Sequence, residues 1–162
     1  MADNLVTGLS FTAAFGSALV GGFFFSFSNT IMGALGRIAP EQGINAMNSI
    51  NIVVINPAFM TALFGTGLLC LVVGALSLGS LGTLDGKLIL AAALLYVVGC
   101  DGVTMALNVP LNNALAAAVA GTPEAASLWT RYLSEWTMWN SVRTAASLVS
   151  AALFVAAGVL RT

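Results

Sequence analysis

Two stripes of polar residues in an otherwise apolar chain are the candidates for chemistry. Asp101, Met105, Asn108 and Asn112 recur at intervals of four, three and four, the spacing that aligns residues along one face of a helix. Trp136, Asn140, Arg143 and Ser147 repeat the pattern further on. Brought together, they would set a carboxylate, several amides and a guanidinium around one apolar space. In such a set the carboxylate could act as a proton acceptor in an apolar pocket, or tie helices through the guanidinium. The chain has no histidine, which removes the commonest neutral-pH base and the commonest metal ligand. Its carboxylates are scattered, and Cys70 and Cys100 form no Cys-x-x-Cys pair. Neither a metal nor another cofactor is expected.

The elements that would position these stripes follow from composition. The chain is 59% hydrophobic and 7% charged, against roughly 25% charged in an average soluble domain. A net charge of −1 with no basic cluster excludes nucleic acid as a partner. Charge is absent from residues 4–36, 42–84, 102–123 and 144–160. A bilayer core about 30 Å thick takes about 20 helical residues. The pattern predicts one all-α domain over 1–162, an integral membrane four-helix bundle with spans near 5–35, 52–81, 87–109 and 140–160. Alternation of polar and apolar residues is missing, which argues against a β-barrel. The first stretch lacks a basic leader and is too long for a signal peptide, so it is read as a mature helix flanked by Asp3. Pro57 and Pro110 are expected to mark the start of the second span and the exit of the third. Residues 124–139 read as a short amphipathic surface helix before the fourth span.

Four alternating spans give the membrane two faces of different character. The first face receives the amino terminus, the turn around Asp85 and the carboxy terminus. The second receives both longer connections and nearly all the amides: Asn29, Asn45, Asn48, Asn51 and Asn56, then Asn108, Asn112, Asn113 and Asn140. Loop solvation alone does not call for asparagines running into the spans, so a polar pocket is expected at the second face. Arg37, Arg131 and Arg143 outnumber Lys87 and Arg161 there by one, which turns the pocket toward the cytoplasm. Counting from Lys87 puts Asp101 roughly 9 Å inside the hydrocarbon boundary. A carboxylate at that depth must face the bundle interior. Two roles stay open: a structural ion pair with Arg143, or a proton acceptor in the pocket.

Trp129, Tyr132, Trp136 and Trp139 lie where the second long connection enters the fourth span. They read either as an interfacial belt or as the wall of a pocket for a flat aromatic or quinone-like ligand. Phe23, Phe24, Phe25 and Phe27 surround the first span, so at least two of them face lipid. Ala14, Ala18 and Gly22, with Thr61–Gly65 and Ala75–Gly79, are small-residue pairs that let membrane helices approach. They serve packing within the bundle or a homo-oligomer.

The stretch Asn-Val-Pro-Leu-Asn-Asn at 108–113, then Trp129 and Trp-Thr-Met-Trp-Asn-Ser-Val-Arg-Thr at 136–144, resembles the anthrone oxygenase-like family of small four-helix membrane proteins. The Phe-rich first helix and the Asn56-Pro57 region share in the resemblance. It implies O₂-dependent oxidation of an anthrone to an anthraquinone, and it points to Asn108, Asn112, Trp136, Asn140 and Arg143. Asp101 comes from depth and stripe alone. An Ala- and Gly-rich chain is more similar to bacterial members, which implies the inner membrane. Anthrones lose a carbon-bound proton to give an anion that reacts with O₂ directly. In that reaction Asp101 would be the base, Arg143 the partner of the oxyanion, and Asn56, Asn108, Asn112, Trp136 and Asn140 the binding groups. The ligand expected is a hydrophobic or aromatic small molecule met within the lipid bilayer. Two other functions stay open on the residues: lipid or quinone binding with transport, and an accessory subunit of a membrane complex.

Overall fold

The computed structural model describes residues 2–162, with side chains from Asn4 onward, so the side chain of Asp3 lies outside it. It consists of α1 (Asn4–Leu35), α2 (Pro40–Val53), α3 (Pro57–Ser80), α4 (Leu84–Ala117) and α5 (Pro123–Leu160). All but α2 are long and apolar enough to cross a membrane. The shortest of those four, α3, has 24 residues, or about 36 Å at 1.5 Å per residue. This is an all-α, multi-pass membrane protein.

Local chemistry sets the helix starts. Pro40, Pro57 and Pro123 occupy first-turn positions, where a missing N–H costs nothing. Asn56 caps α3 by accepting from the Phe59 N–H at 3.0 Å, and Thr122 caps α5 by accepting from the Ala125 N–H at 3.2 Å. At the first face, Arg161 reaches Asp85 at 2.8 Å and ties the end of α5 to the start of α4.

Three expectations about element boundaries are corrected. Residues 52 and 53 end α2, so the second long helix begins at Pro57. Pro110 is not the exit of the third span, because α4 continues to Ala117. Its proline follows two π-helical turns, Val97–Gly102 and Thr104–Asn108, whose wider winding accommodates the lost hydrogen bond and the ring. Residues 124–139 are no separate surface helix. They are the first turns of α5, and Ala125, Trp129, Tyr132 and Trp136 are buried there at intervals of four, three and four. The separate short helix is α2, which packs on α4 and α5 at the second face.

The core has two parts. Toward the first face, Val73, Ile89, Tyr96 and Phe154 fill the centre. Toward the second, Ile44 and Met47 of α2 meet Leu115 and the buried aromatics of α5. Close helix approach uses Gly21 against Ser147 and Leu148, Gly74 against Ala93, and Gly99 against Ala146. Of the small residues singled out on α1, Ala14 is inside the bundle, whereas Ala18 and Gly22 face outward.

Candidate functional site

A cavity of about 240 Å³ lies between α1, α3, α4 and α5, beneath α2. That volume is just below the usual range for ligand pockets, which starts at about 300 Å³, and fits a compact molecule. Most of its wall is apolar, with Phe23, Phe24, Phe27 and Phe59 on one side. The polar groups on the wall are Asn51, Thr104, Asn112, Trp136 and Arg143.

Arg143 dominates the electrostatics. Its side chain is 4% exposed, about 26 Å from the first-face end of α5. Nη1 donates to Thr104 Oγ1 at 3.1 Å and Nη2 to Asn140 Oδ1 at 2.7 Å. The guanidinium carbon lies 3.9 Å from the Phe24 ring centroid and 5.3 Å from that of Trp136, within cation–π range. Its Nε has no partner among the described residues. None of these contacts is a carboxylate. A buried cation held by neutral groups retains most of its field for an incoming anion.

The asparagines hold this arrangement in place. Asn140 donates to the Phe24 carbonyl and to Ser28 Oγ, both at 2.7 Å, fixing α5 against α1 while its own oxygen holds Arg143. Asn108 donates to the Trp136 carbonyl at 3.1 Å and so ties α4 to α5. Asn112 Oδ1 accepts from both Tyr132 Oη and Trp136 Nε1 at 2.7 Å. Trp129, Tyr132 and Trp136 stack in a ladder, with centroids 5.6 and 5.8 Å apart. These rings are interior, not an interfacial belt. Phe24 and Phe27 are buried, while Phe23 and Phe25 are exposed.

Asp101 stands apart from this network. The ion pair with Arg143 is not formed: the guanidinium is bonded to Thr104 and Asn140, and Asp101 Oδ1 has no partner among the described residues. The carboxylate lies instead against Gly67 of α3, where any β-carbon would overlap it. Met105 and Phe64, one turn on from Asp101 and Gly67, are on the cavity wall. Asp101 is therefore one helical turn, about 5.4 Å, beneath the cavity floor. Asn56 is a helix cap; it is not on the cavity wall but lines an adjoining groove that shares Phe23, Phe27, Ile50, Val54 and Phe59 with the cavity.

The stripe read from sequence also shifts. Across residues 96–108 the buried positions on α4 are Tyr96, Cys100, Thr104 and Asn108. Four-residue steps drift around an α-helix of 3.6 residues per turn, but the π turns at 97–108 keep them in line. Met105, placed on the stripe by α-helical counting, is 57% exposed. Sequence reasoning missed Thr104 and the aromatic support of Phe24; it set Asn51 among the second-face amides without making it a site residue, and Asn51 lines the cavity with its Nδ2 unpartnered among the described residues. Among the described residues no three His, Cys, Asp or Glu side chains come together. What the wall offers a ligand is therefore amides, a hydroxyl and a guanidinium.

Comparison with known families adds one observation. A family model described as anthrone oxygenase matches residues 55–153, more than half of the chain. The chain belongs to the anthrone oxygenase family. The matched stretch contains Asp101, Asn108, Asn112, Trp136, Asn140 and Arg143, but not Phe24 or Asn51. In this family member, then, the polar network on α4 and α5 lies within the family's own segment, while α1 and α2 complete the cavity from outside it. No curated protein and no solved structure matches the chain.

Proposed function

We propose that the protein is a cofactor-independent oxygenase acting on an enolisable polycyclic aromatic ketone of the anthrone type. The observation that carries this reading is Arg143: a buried cation without a carboxylate, on the wall of a cavity lined by aromatic rings. Removing a proton from the methylene of such a ketone moves negative charge onto its carbonyl oxygen. A fixed guanidinium in a water-poor site stabilises that charge far more than water would. Arg143 holds the oxygen, positioned by Thr104, whose own O–H is given to the Cys100 carbonyl. Asn51 and Asn112 offer amides to other oxygens of the ring system, and Phe24 and Trp136 flank its plane. Asp101, one turn below the floor, takes the proton through one intervening water. The carbanion adds O₂ to give a hydroperoxide, which loses water to leave a second carbonyl. One methylene and one O₂ thus become one ketone and one H₂O.

The alanine- and glycine-rich chain is assigned to a bacterial inner membrane. The test is O₂ consumption with anthrone as substrate, with the protein in nanodiscs. The reading expects anthraquinone formation above the protein-free rate, reduced at least 100-fold by Arg143→Gln. Anthraquinone binding without turnover in the unmodified chain would refute the oxygenase and favour a quinone-binding role, which the same donor-rich wall also supports.

A further inference from the structure

We infer that this cavity is loaded from the bilayer, through a portal between α3 and α4, and that its ligand is a neutral molecule dissolved in lipid. The inference rests on the aromatic-ligand reading for the ligand's chemistry, but its geometry stands alone. The lower part of α3 packs against the lower part of α4, and the two helices part toward the second face. The gap is bordered by Met60 and Phe64 on α3 and by Met105 and Val109 on α4, all on the cavity wall. Phe64 is 41% exposed and Met105 57%, and none of these four residues is charged or an amide; the nearest charge on these helices is Asp101 against Gly67, one turn below.

Depth places the gap in hydrocarbon. Phe64 is about 24 Å from the first-face end of α3, and Met105 about 27 Å beyond Lys87, at 1.5 Å per residue. Both fall within a core about 30 Å thick, while Met60 and Val109, at about 30 and 33 Å by the same count, mark its boundary. The aqueous side is roofed by α2, with Ile55 of the cavity wall exposed at the roof's edge. Helix α2 lies across the bundle end with Ile44 and Met47 buried beneath it, and Met47 and Ile50 form part of the cavity roof. The stacked Trp129, Tyr132 and Trp136 close the α5 side. Phe64 and Met105 each sit in a π-helical turn, Thr61–Gly65 and Thr104–Asn108. A charged ligand would not cross such a border from lipid, whereas a neutral ketone would cross and acquire its charge only beside Arg143.

The test needs no substrate in its first arm. Trp129→Phe with Trp139→Phe leaves Trp136, a buried residue of the cavity wall, as the sole tryptophan, excited at a wavelength where Tyr96 and Tyr132 do not absorb. In nanodiscs of phosphatidylcholine brominated high on the acyl chain, lipid reaching through the portal should at least halve Trp136 emission. Val109→Phe and Met60→Phe, which fill the gap from opposite helices, should each restore most of it, and two plugs cover the case in which one does not fold. Met47→Phe in the roof should leave the quenching unchanged. An unquenched Trp136, or quenching that neither folded plug relieves, overturns the portal. In the second arm, stopped-flow quenching of Trp136 by lipid-dissolved anthraquinone should slow at least tenfold in the plugged variants. Slowing by the roof variant alone would show entry from water and also overturn it. Bromine quenching relieved by the plugs, without any anthraquinone binding, would uphold the portal and sink the aromatic-ligand reading.

Discussion

Asp101 provides the sharpest test of how the bundle is built, because two placements predict opposite couplings. In the structure its carboxylate lies against Gly67 with Oδ1 unpartnered, and Arg143 is engaged elsewhere. Gly67→Ala drives a methyl into that carboxylate. Overpacking of this kind costs about 1–3 kcal/mol, and a shift of roughly 2–4 °C accompanies each kcal/mol in a chain of this size. Asp101→Ala removes the clashing group and strands no partner, so alone it should leave stability unchanged or raise it. Combined with Gly67→Ala it should recover most of the loss, a coupling of about 1 kcal/mol or more. The Asp101→Asn and Arg143→Gln cycle should instead be additive within about 0.5 kcal/mol. A buried ion pair would lose about 3–5 kcal/mol on removal of either partner. Thermal melting in nanodiscs measures both cycles. Strong destabilisation by Asp101→Asn that Arg143→Gln rescues would refute this placement of the carboxylate.

Other consequences can be checked in the same format. Asn112→Leu removes the acceptor shared by Tyr132 Oη and Trp136 Nε1, which should cost roughly 2–4 kcal/mol in melting experiments. Asn112→Asp, which keeps the acceptor, should cost less. Asn56→Ala removes the helix cap and the bonds from Nδ2 to the Val53 and Val54 carbonyls, so it should lower stability by about 0.5–2 kcal/mol and leave anthraquinone affinity unchanged in a Trp136 quenching titration. Asn140→Leu cuts the links to Phe24, Ser28 and Arg143 together. It should therefore reduce both melting temperature and anthrone turnover.

What could be read from sequence was what the bilayer enforces. Charge-free runs located four apolar helices, since a bilayer core tolerates little else. The concentration of amides on one side marked the end where Asn108, Asn112, Asn140 and Arg143 lie close to one another. The errors of register in α4 have a common origin in counting 3.6 residues per turn through it. Its π turns rotate Thr104 onto the face predicted for Met105, and they let the helix run past Pro110. Pairing Asp101 with Arg143 rested on equal depth, yet equal depth does not fix azimuth. Asp101 turns toward the notch at Gly67, and Arg143 toward Thr104 and Phe24. Helix α2 escaped notice because its amides and its Ile and Met residues carry no membrane-span signal, and it became visible only as the roof of the cavity.

The central claim is that Arg143 stabilises negative charge on a ring-bound oxygen inside the cavity. The visible absorption of 2-hydroxyanthraquinone reports ionisation of its phenol directly, so its titration in nanodiscs with and without protein measures that stabilisation. The account predicts that the bound phenol ionises at least one pH unit below the same dye in protein-free nanodiscs, about 1.4 kcal/mol of preference for the anion, and that Arg143→Gln abolishes the shift. A bound dye that ionises at the same pH in both proteins would contradict it.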